Sequence, residues 1–301
     1  MALDAVIADN RSSGNINAKR RKRERCSAPM PTPAIETRDL TIRFGGHVAV
    51  DAVSCAFHSG TLTAIVGPNG AGKTTYFNLI SGQLPATSGT VHLDAADISH
   101  LSAAARARRG IGRAFQITNL FPNLSALENV RLATQSRARS RAGAAHGLAG
   151  TLRELTSRWD RDTAVRSRAL DYLAEVNLAE KRDVPVVALS HGDKRKLEVA
   201  LMMALEPHVF MFDEPTAGMS VDEVPVVLDL IKRLKARGDA TILLVEHKMD
   251  VVRSLADRIV VLHNGRLVAD GAPADVIASP IVQEAYLGIA PTKAVEAALH
   301  G

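Results

Sequence analysis

Strand-like runs open the patterned part of the chain: Ile35 to Phe44 and His47 to Phe57, parted by Gly45-Gly46, predict a β-hairpin. Three later runs are almost wholly apolar. Leu62 to Val66 and Val209 to Phe212 read as strands buried on both faces, and Thr241 to Val245 as a third strand of the kind. Thr90 to Leu93 predicts a short strand, and Ile259 to Leu262 with Leu267 to Asp270 predicts a hairpin turning at His263-Asn264-Gly265-Arg266. Between them the period changes to that of a helix. Thr75 to Ser81 reads as the opening of a helix, Ala103 to Arg109 as another that Gly110 stops, and Ser125 to Arg182 as mostly helical. Val165, Ala169, Tyr172, Leu173 and Val176 share one helix face. Leu197, Ala200, Leu201, Ala204 and Leu205 form an apolar stripe on the next helix, Val221 to Arg237 is a further helix, and short helices finish the chain. Alternating strands and helices place the chain in the α/β class, with a mostly parallel sheet covered on both faces.

Composition narrows the setting. With 301 residues, 46% of them hydrophobic, the chain can bury a substantial core in one large or two modest domains. No apolar run approaches the roughly 18 residues that a membrane span needs, and the first thirty residues lack the apolar stretch of a signal peptide. Cys26 and Cys55 match no metal or redox spacing and read as reduced thiols in a cytosolic protein. The net charge of +5 would suit a nucleic-acid partner if it were spread over a face. Instead, seven Lys/Arg against three acids give residues 1–34 a charge of +4, which leaves +1 for the rest. That tail, dominated by Lys19 to Arg25, is expected to be disordered, and Met30 just beyond the basic run is a candidate start of translation. Arg137 to Gly150 reads as a solvated loop or frayed helix.

The chemistry begins at Gly67-Pro68-Asn69-Gly70-Ala71-Gly72-Lys73-Thr74, which fits G-x-x-x-x-G-K-[ST] between a predicted strand and a predicted helix. Glycines let successive N–H groups turn toward an anion, and the helix N-terminus adds its positive end. Lys73 is then placed for the β- and γ-phosphates and Thr74 for Mg²⁺. An accidental glycine-rich turn would match in roughly one chain of this length in a hundred. The correct flanks make nucleotide binding the stronger reading.

Later signals are weaker singly. Phe44 reads first as core, although an aromatic just upstream of a phosphate loop can also stack on adenine. Leu189-Ser190-His191-Gly192-Asp193 heads a helix, whose end is either an anion site or merely capped by its own serine. Asp213 and Glu214 stand at the C-terminal end of a buried strand, where ligands of open α/β sheets bind, and His247 follows another strand.

The order of these segments, phosphate loop, Gln116, Leu189 to Asp193, the strand ending in Asp213-Glu214, then His247, resembles the ATPase subunit of ABC transporters over about residues 35–288. Phe44-Gly45-Gly46, the helical insertion before Pro185, Glu214 to Met219 and Ala285-Tyr286-Leu287-Gly288 are similar to the branch that serves branched-chain amino-acid import. The resemblance implies a P-loop NTPase core with an N-terminal antiparallel β subdomain and a helical subdomain at about 101–184, flanked by a basic tail over 1–34 and a C-terminal tail over 289–301.

It also implies roles for single residues. Phe44 would pack on adenine, and Gly67, Pro68, Asn69, Gly70, Ala71, Gly72, Lys73, Thr74 and Thr75 would wrap the phosphates. Thr74, Gln116 and Asp213 would serve Mg²⁺, Glu214 would be the general base, Gln116 would sense the γ-phosphate, and His247 would contact the γ-phosphate and stabilise the transition-state charge. Ser190 and Gly192 would contact ATP bound to a second ATPase subunit, identical or paralogous, in a head-to-tail dimer. The expected cofactors are ATP and Mg. The expected partners are membrane permease subunits and, indirectly, an extracytoplasmic solute-binding protein, with no nucleic acid and a peripheral place on the cytoplasmic face of the membrane. Urea or amide import and lipopolysaccharide export are alternatives within transport, and a soluble ATPase of DNA repair or translation is the alternative outside it. Two departures stand out: His191 and Asp193 replace the first glycine and the glutamine of L-S-G-G-Q, and Ala217-Gly218-Met219-Ser220 replaces S-A-L-D.

Overall fold

The computed structural model describes residues 32–114, 120–142, 158–219, 224–280 and 282–283. In chain order the first half gives β1 (Ile35–Phe44), β2 (His47–Phe57), β3 (Leu62–Val66), α1 (Lys73–Ser81), β4 (Ser88–Leu93), β5 (Ala96–Asp97), α2 (Ala103–Arg108) and β6 (Ile111–Ala114). Next come α3 (Ala126–Ala142), α4 (Arg158–Glu175), α5 (His191–Leu205), β7 (Val209–Asp213), α6 (Val224–Ala236), β8 (Thr241–Val245), α7 (Met249–Leu255), β9 (Arg258–His263), β10 (Arg266–Gly271) and α8 (Pro273–Ala278).

Two sheets organise these elements. One is antiparallel, in the order β2-β1-β4-β5; the other runs β10-β9-β3-β8-β7-β6 and is parallel apart from its edge strand β10. Strand periodicity distributes the side chains of the second sheet between different cores. Ile242 and Leu244 of β8, and Phe210 and Phe212 of β7, enter the cluster formed with α3, α4, α5 and α6. Their neighbours Leu243, Val245, Val209 and Met211 point the other way, into a cluster with Tyr76, Phe77, Leu79 and Ile80 of α1. That second cluster continues into Leu40, Ile42, Val50, Val53 and Phe57, so α1 is packed between the two sheets. Each of these fully buried apolar side chains contributes about 1.5–3 kcal/mol. The helix that leaves the phosphate loop is therefore fixed on both sides.

Several expectations are corrected. Leu205 is exposed, whereas Val199, Met202 and Met203 are buried. α5 ends there with Glu206 in the left-handed region, and its middle turns are enclosed by α3, α4 and the sheet instead of resting on one stripe. Phe44 is not core: it closes β1 with its ring half exposed. α1 begins at Lys73, two residues before the predicted start, because Gly72 supplies the left-handed N-cap. Ile111–Ala114 is a parallel strand beside β7 that the sequence pattern did not suggest. Cys55 is a buried thiol, and burial pushes its pKa up to about 12. Residues 1–31 of the predicted N-terminal tail, the C-terminal tail, Gln116, Ser220 and Ala285 to Gly288 lie outside the described residues, Cys26 and Met30 among them, whereas Ala34 is buried and its carbonyl accepts the Asp94 N–H.

Candidate active site

The loop after β3 is shaped by backbone packed against it. A Cβ on Gly67 would stand 2.1 Å from the Leu262 carbonyl oxygen of β9, and one on Gly72 would stand 2.4 Å from the Ala49 carbonyl oxygen of β2. Only glycine fits at either place, and Gly72 also takes a φ of 94° that side chains disfavour. The turn between β9 and β10 closes the loop from behind: Gly265 N–H donates to the Ala71 carbonyl at 3.1 Å, and Asp51 N–H donates to the Gly265 carbonyl at 2.8 Å. No side chain caps the start of α1, and its first turn holds no acid. An anion in front of the loop thus meets backbone N–H groups and the positive end of a helix.

Lys73 is buried and folded over this loop, donating from Nζ to the carbonyls of Gly67 at 2.7 Å and Pro68 at 2.9 Å. Burial lowers the pKa of its ammonium against the opposing pull of Glu214 and Asp213. A phosphate would supply the buried cation with the counter-charge that neutral carbonyls do not.

Asp213 and Glu214 arrive on β7, two strands away in the order β3-β8-β7. Burial holds the Asp213 carboxyl above the usual range, although the adjacent Arg113 pulls it down. Arg113 comes from β6, and its Nη2 lies 2.7 Å from Asp213 Oδ2, with both side chains buried. Glu214 sits at a φ of 49°, its N–H donating to the Val245 carbonyl at 2.9 Å. This sparsely populated geometry ends the strand abruptly and is of the kind found at functional sites. His247 follows β8, the strand between, and its side chain is half exposed. The phosphate loop, the acid pair and the histidine therefore all lie at the carboxyl ends of three adjacent parallel strands. Gln116, which follows β6, is outside the described residues.

The remaining candidates stand apart. Ser190 is the N-cap of α5, its hydroxyl accepting from Asp193 N–H at 3.1 Å, while Gly192 is buried in the first turn. Asp193 turns inward to Lys181 and Lys196. Burial alone would raise its pKa, but Lys181, Ser190 and Lys196 together bring it below the usual carboxylate range. The Asp193 that replaces glutamine is thus an intrachain tie. Phe44 presents its ring to solvent, as an adenine platform requires.

The donor set suits a hard divalent cation: the Thr74 hydroxyl and the Asp213 carboxylate offer oxygen. Among the described residues there is no group of three His, Cys, Asp or Glu that could hold a metal ion. Sequence reasoning missed Arg113 and Glu246. Neither belongs to a short motif, and the side chains that each engages, Asp213 and Thr216, are distant in the chain.

The ABC transporter family profile matches residues 50–217, and the profile described as branched-chain amino acid ATP-binding cassette transporter matches residues 266–290. High-affinity branched-chain amino acid transport ATP-binding protein BraF of Pseudomonas aeruginosa is 37% identical over 259 residues, covering 86% of this chain and 99% of that protein. The ADP conformation of MJ1267, an ATP-binding cassette of an ABC transporter, superposes with a TM-score of 0.68 at 27% identity, covering 85% of this chain and 99% of the other. A dimeric structure of MJ0796, a bacterial ABC transporter cassette, gives 0.65 at 26% identity, with 79% and 98% covered.

Proposed function

The chain belongs to the ABC transporter family of ATP-binding proteins, and from that premise we propose that it powers import of branched-chain amino acids by hydrolysing ATP beneath a membrane permease. The observation that carries the hydrolytic reading is the convergence of Lys73, Asp213, Glu214 and His247 at the carboxyl edge of one sheet. The profile matched at 266–290 and the likeness to BraF support the choice of cargo.

In this reading Phe44 stacks on adenine, the loop from Gly67 to Thr75 binds the phosphates, and Lys73 exchanges its carbonyl partners for phosphate oxygens. Glu214 takes a proton from water as the water oxygen bonds to the γ-phosphorus, and the bond to the bridging oxygen of ADP breaks. His247 donates to a γ-phosphate oxygen and stabilises the charge that develops there. Thr74, Asp213 and Gln116 would hold Mg²⁺, which would neutralise phosphate charge. Ser190 and Gly192 complete the site of a second ATPase subunit, so closure of the pair follows ATP binding and reopening follows hydrolysis. The ATPase domain spans 35–288, with its helical part at about 101–184 and tails over 1–34 and 289–301. In this reading permease subunits, themselves served by a solute-binding protein outside, hold the protein at the cytoplasmic face; among the described residues no helix is long and apolar enough to cross a membrane.

The test has two readouts. Isolation from native membranes should yield the permease and its solute-binding protein. Lys73→Ala should abolish uptake of radiolabelled leucine while leaving urea uptake unchanged. Loss of urea uptake instead, or copurification with ribosomes, would overturn the reading.

A further inference from the structure

Glu246 is a carboxylate with no exposure to solvent, lying between the last residue of β8 and His247. Burying such a group is costly unless its oxygens are satisfied, so its partners reveal what it is for. Oε2 accepts the backbone N–H of His247 at 2.8 Å and that of Lys248 at 3.2 Å. Oε1 accepts the hydroxyl of Thr216, which is equally buried and lies two residues after Glu214. Lys248 crosses the same gap, its Nζ lying 3.5 Å from the Thr216 carbonyl.

We propose that Glu246 is a positioning residue that ties the backbone carrying His247 to the segment that follows Glu214, so that base and phosphate sensor move as one unit. This inference rests on the reading of Glu214 and His247 as hydrolytic residues. The geometry favours it over simple capping. Two backbone N–H groups need only one oxygen of the carboxylate, and the other is spent on a side chain from a different strand end, thirty positions away. The Glu214 N–H bond to Val245 joins the same two strand ends through backbone alone, but stops short of His247. The carboxylate extends that tie to the histidine.

Thr216→Val removes the hydroxyl with little change of shape, and Thr216→Ser retains it. Thr216→Val should lower kcat at least tenfold while the Kd for fluorescent mant-ADP stays within twofold, and the imidazole resonance of His247 should shift and broaden. Thr216→Ser should restore kcat to within about threefold of the parent and return the resonance. If Thr216→Val does not fold, Thr216→Ala carries the same test. Glu214→Gln and His247→Ala are assayed alongside. If both are inactive while the hydroxyl-free variant turns over within twofold of the parent with an unmoved His247 resonance, the tie is refuted and the hydrolytic reading stands. If His247→Ala keeps the parent rate, the hydrolytic reading falls and the inference with it.

Discussion

Arg113 Nη2 donates to Asp213 Oδ2 at 2.7 Å, joining the strand that leads toward Gln116 to the strand that carries the acid pair. Its Nη1 reaches Asn78 Oδ1 at 2.6 Å, Ser81 Oγ at 3.0 Å and Gln83 Oε1 at 3.1 Å, and the guanidinium lies 5.3 Å from the Phe77 ring centroid. One planar cation therefore binds β7 to the helix behind the phosphate loop. Arg113→Ala leaves Asp213 buried without it, and should destabilise the fold by about 3–5 kcal/mol in urea denaturation. Arg113→Lys should recover only part of that loss, since an ammonium cannot span the same fork of acceptors.

Glu214→Gln keeps the shape of the side chain and removes its basicity. ATP binding should persist, turnover should fall by about a hundredfold or more, and a stable ATP-bound dimer should appear in size-exclusion chromatography with multi-angle light scattering. Near-parental turnover would remove Glu214 as the base.

Phe44→Ala tests a residue that the fold does not need. With the ring half exposed, the melting temperature should change little. ATP affinity should fall about tenfold by calorimetry, in line with about 1–3 kcal/mol for stacking a base on an aromatic ring.

Lys181 and Asp193 provide a pH-dependent tie. The Asp193 carboxyl is lowered on folding, so its contribution is complete above the unfolded value of about 3.9 and is lost as pH falls through the lower folded value. Lys181 is half exposed, which discounts the pair to about 0.5–1 kcal/mol. Lys181→Ala should therefore be less stable than the parent by that amount at pH 7, and the gap should close as the pH drops below 4.

The parts of this molecule that were legible in the sequence are those where a local rule matches the tertiary role. Leu62 to Val66, Val209 to Phe212 and Thr241 to Val245 are apolar but for Thr63 and Thr241 because both faces of the central sheet are covered, and all three lie in strands. Ile111–Ala114 escaped because a glycine and an arginine interrupt a strand of only four residues, and the arginine is there for Asp213, a hundred positions away. Glu246 was equally silent, since nothing local distinguishes a buried acid bonded to Thr216 from a solvated one. Phe44 followed the general preference of aromatics for the interior until the end of β1 placed it outside. The phosphate loop itself was plain, whereas the reason for two of its glycines lay in Ala49 and Leu262.

The position of β3 in its sheet has a consequence for how the protein comes into being. Its hydrogen-bonded neighbours are β8 and β9, which begin at Thr241 and Arg258, and the turn that backs its loop waits for Gly265. A ribosome making this chain releases the phosphate-loop segment early, when β1 and β2 are there to pack against it but the strands that pair with β3 are not. The sheet that carries the loop is thus completed only near the end of synthesis.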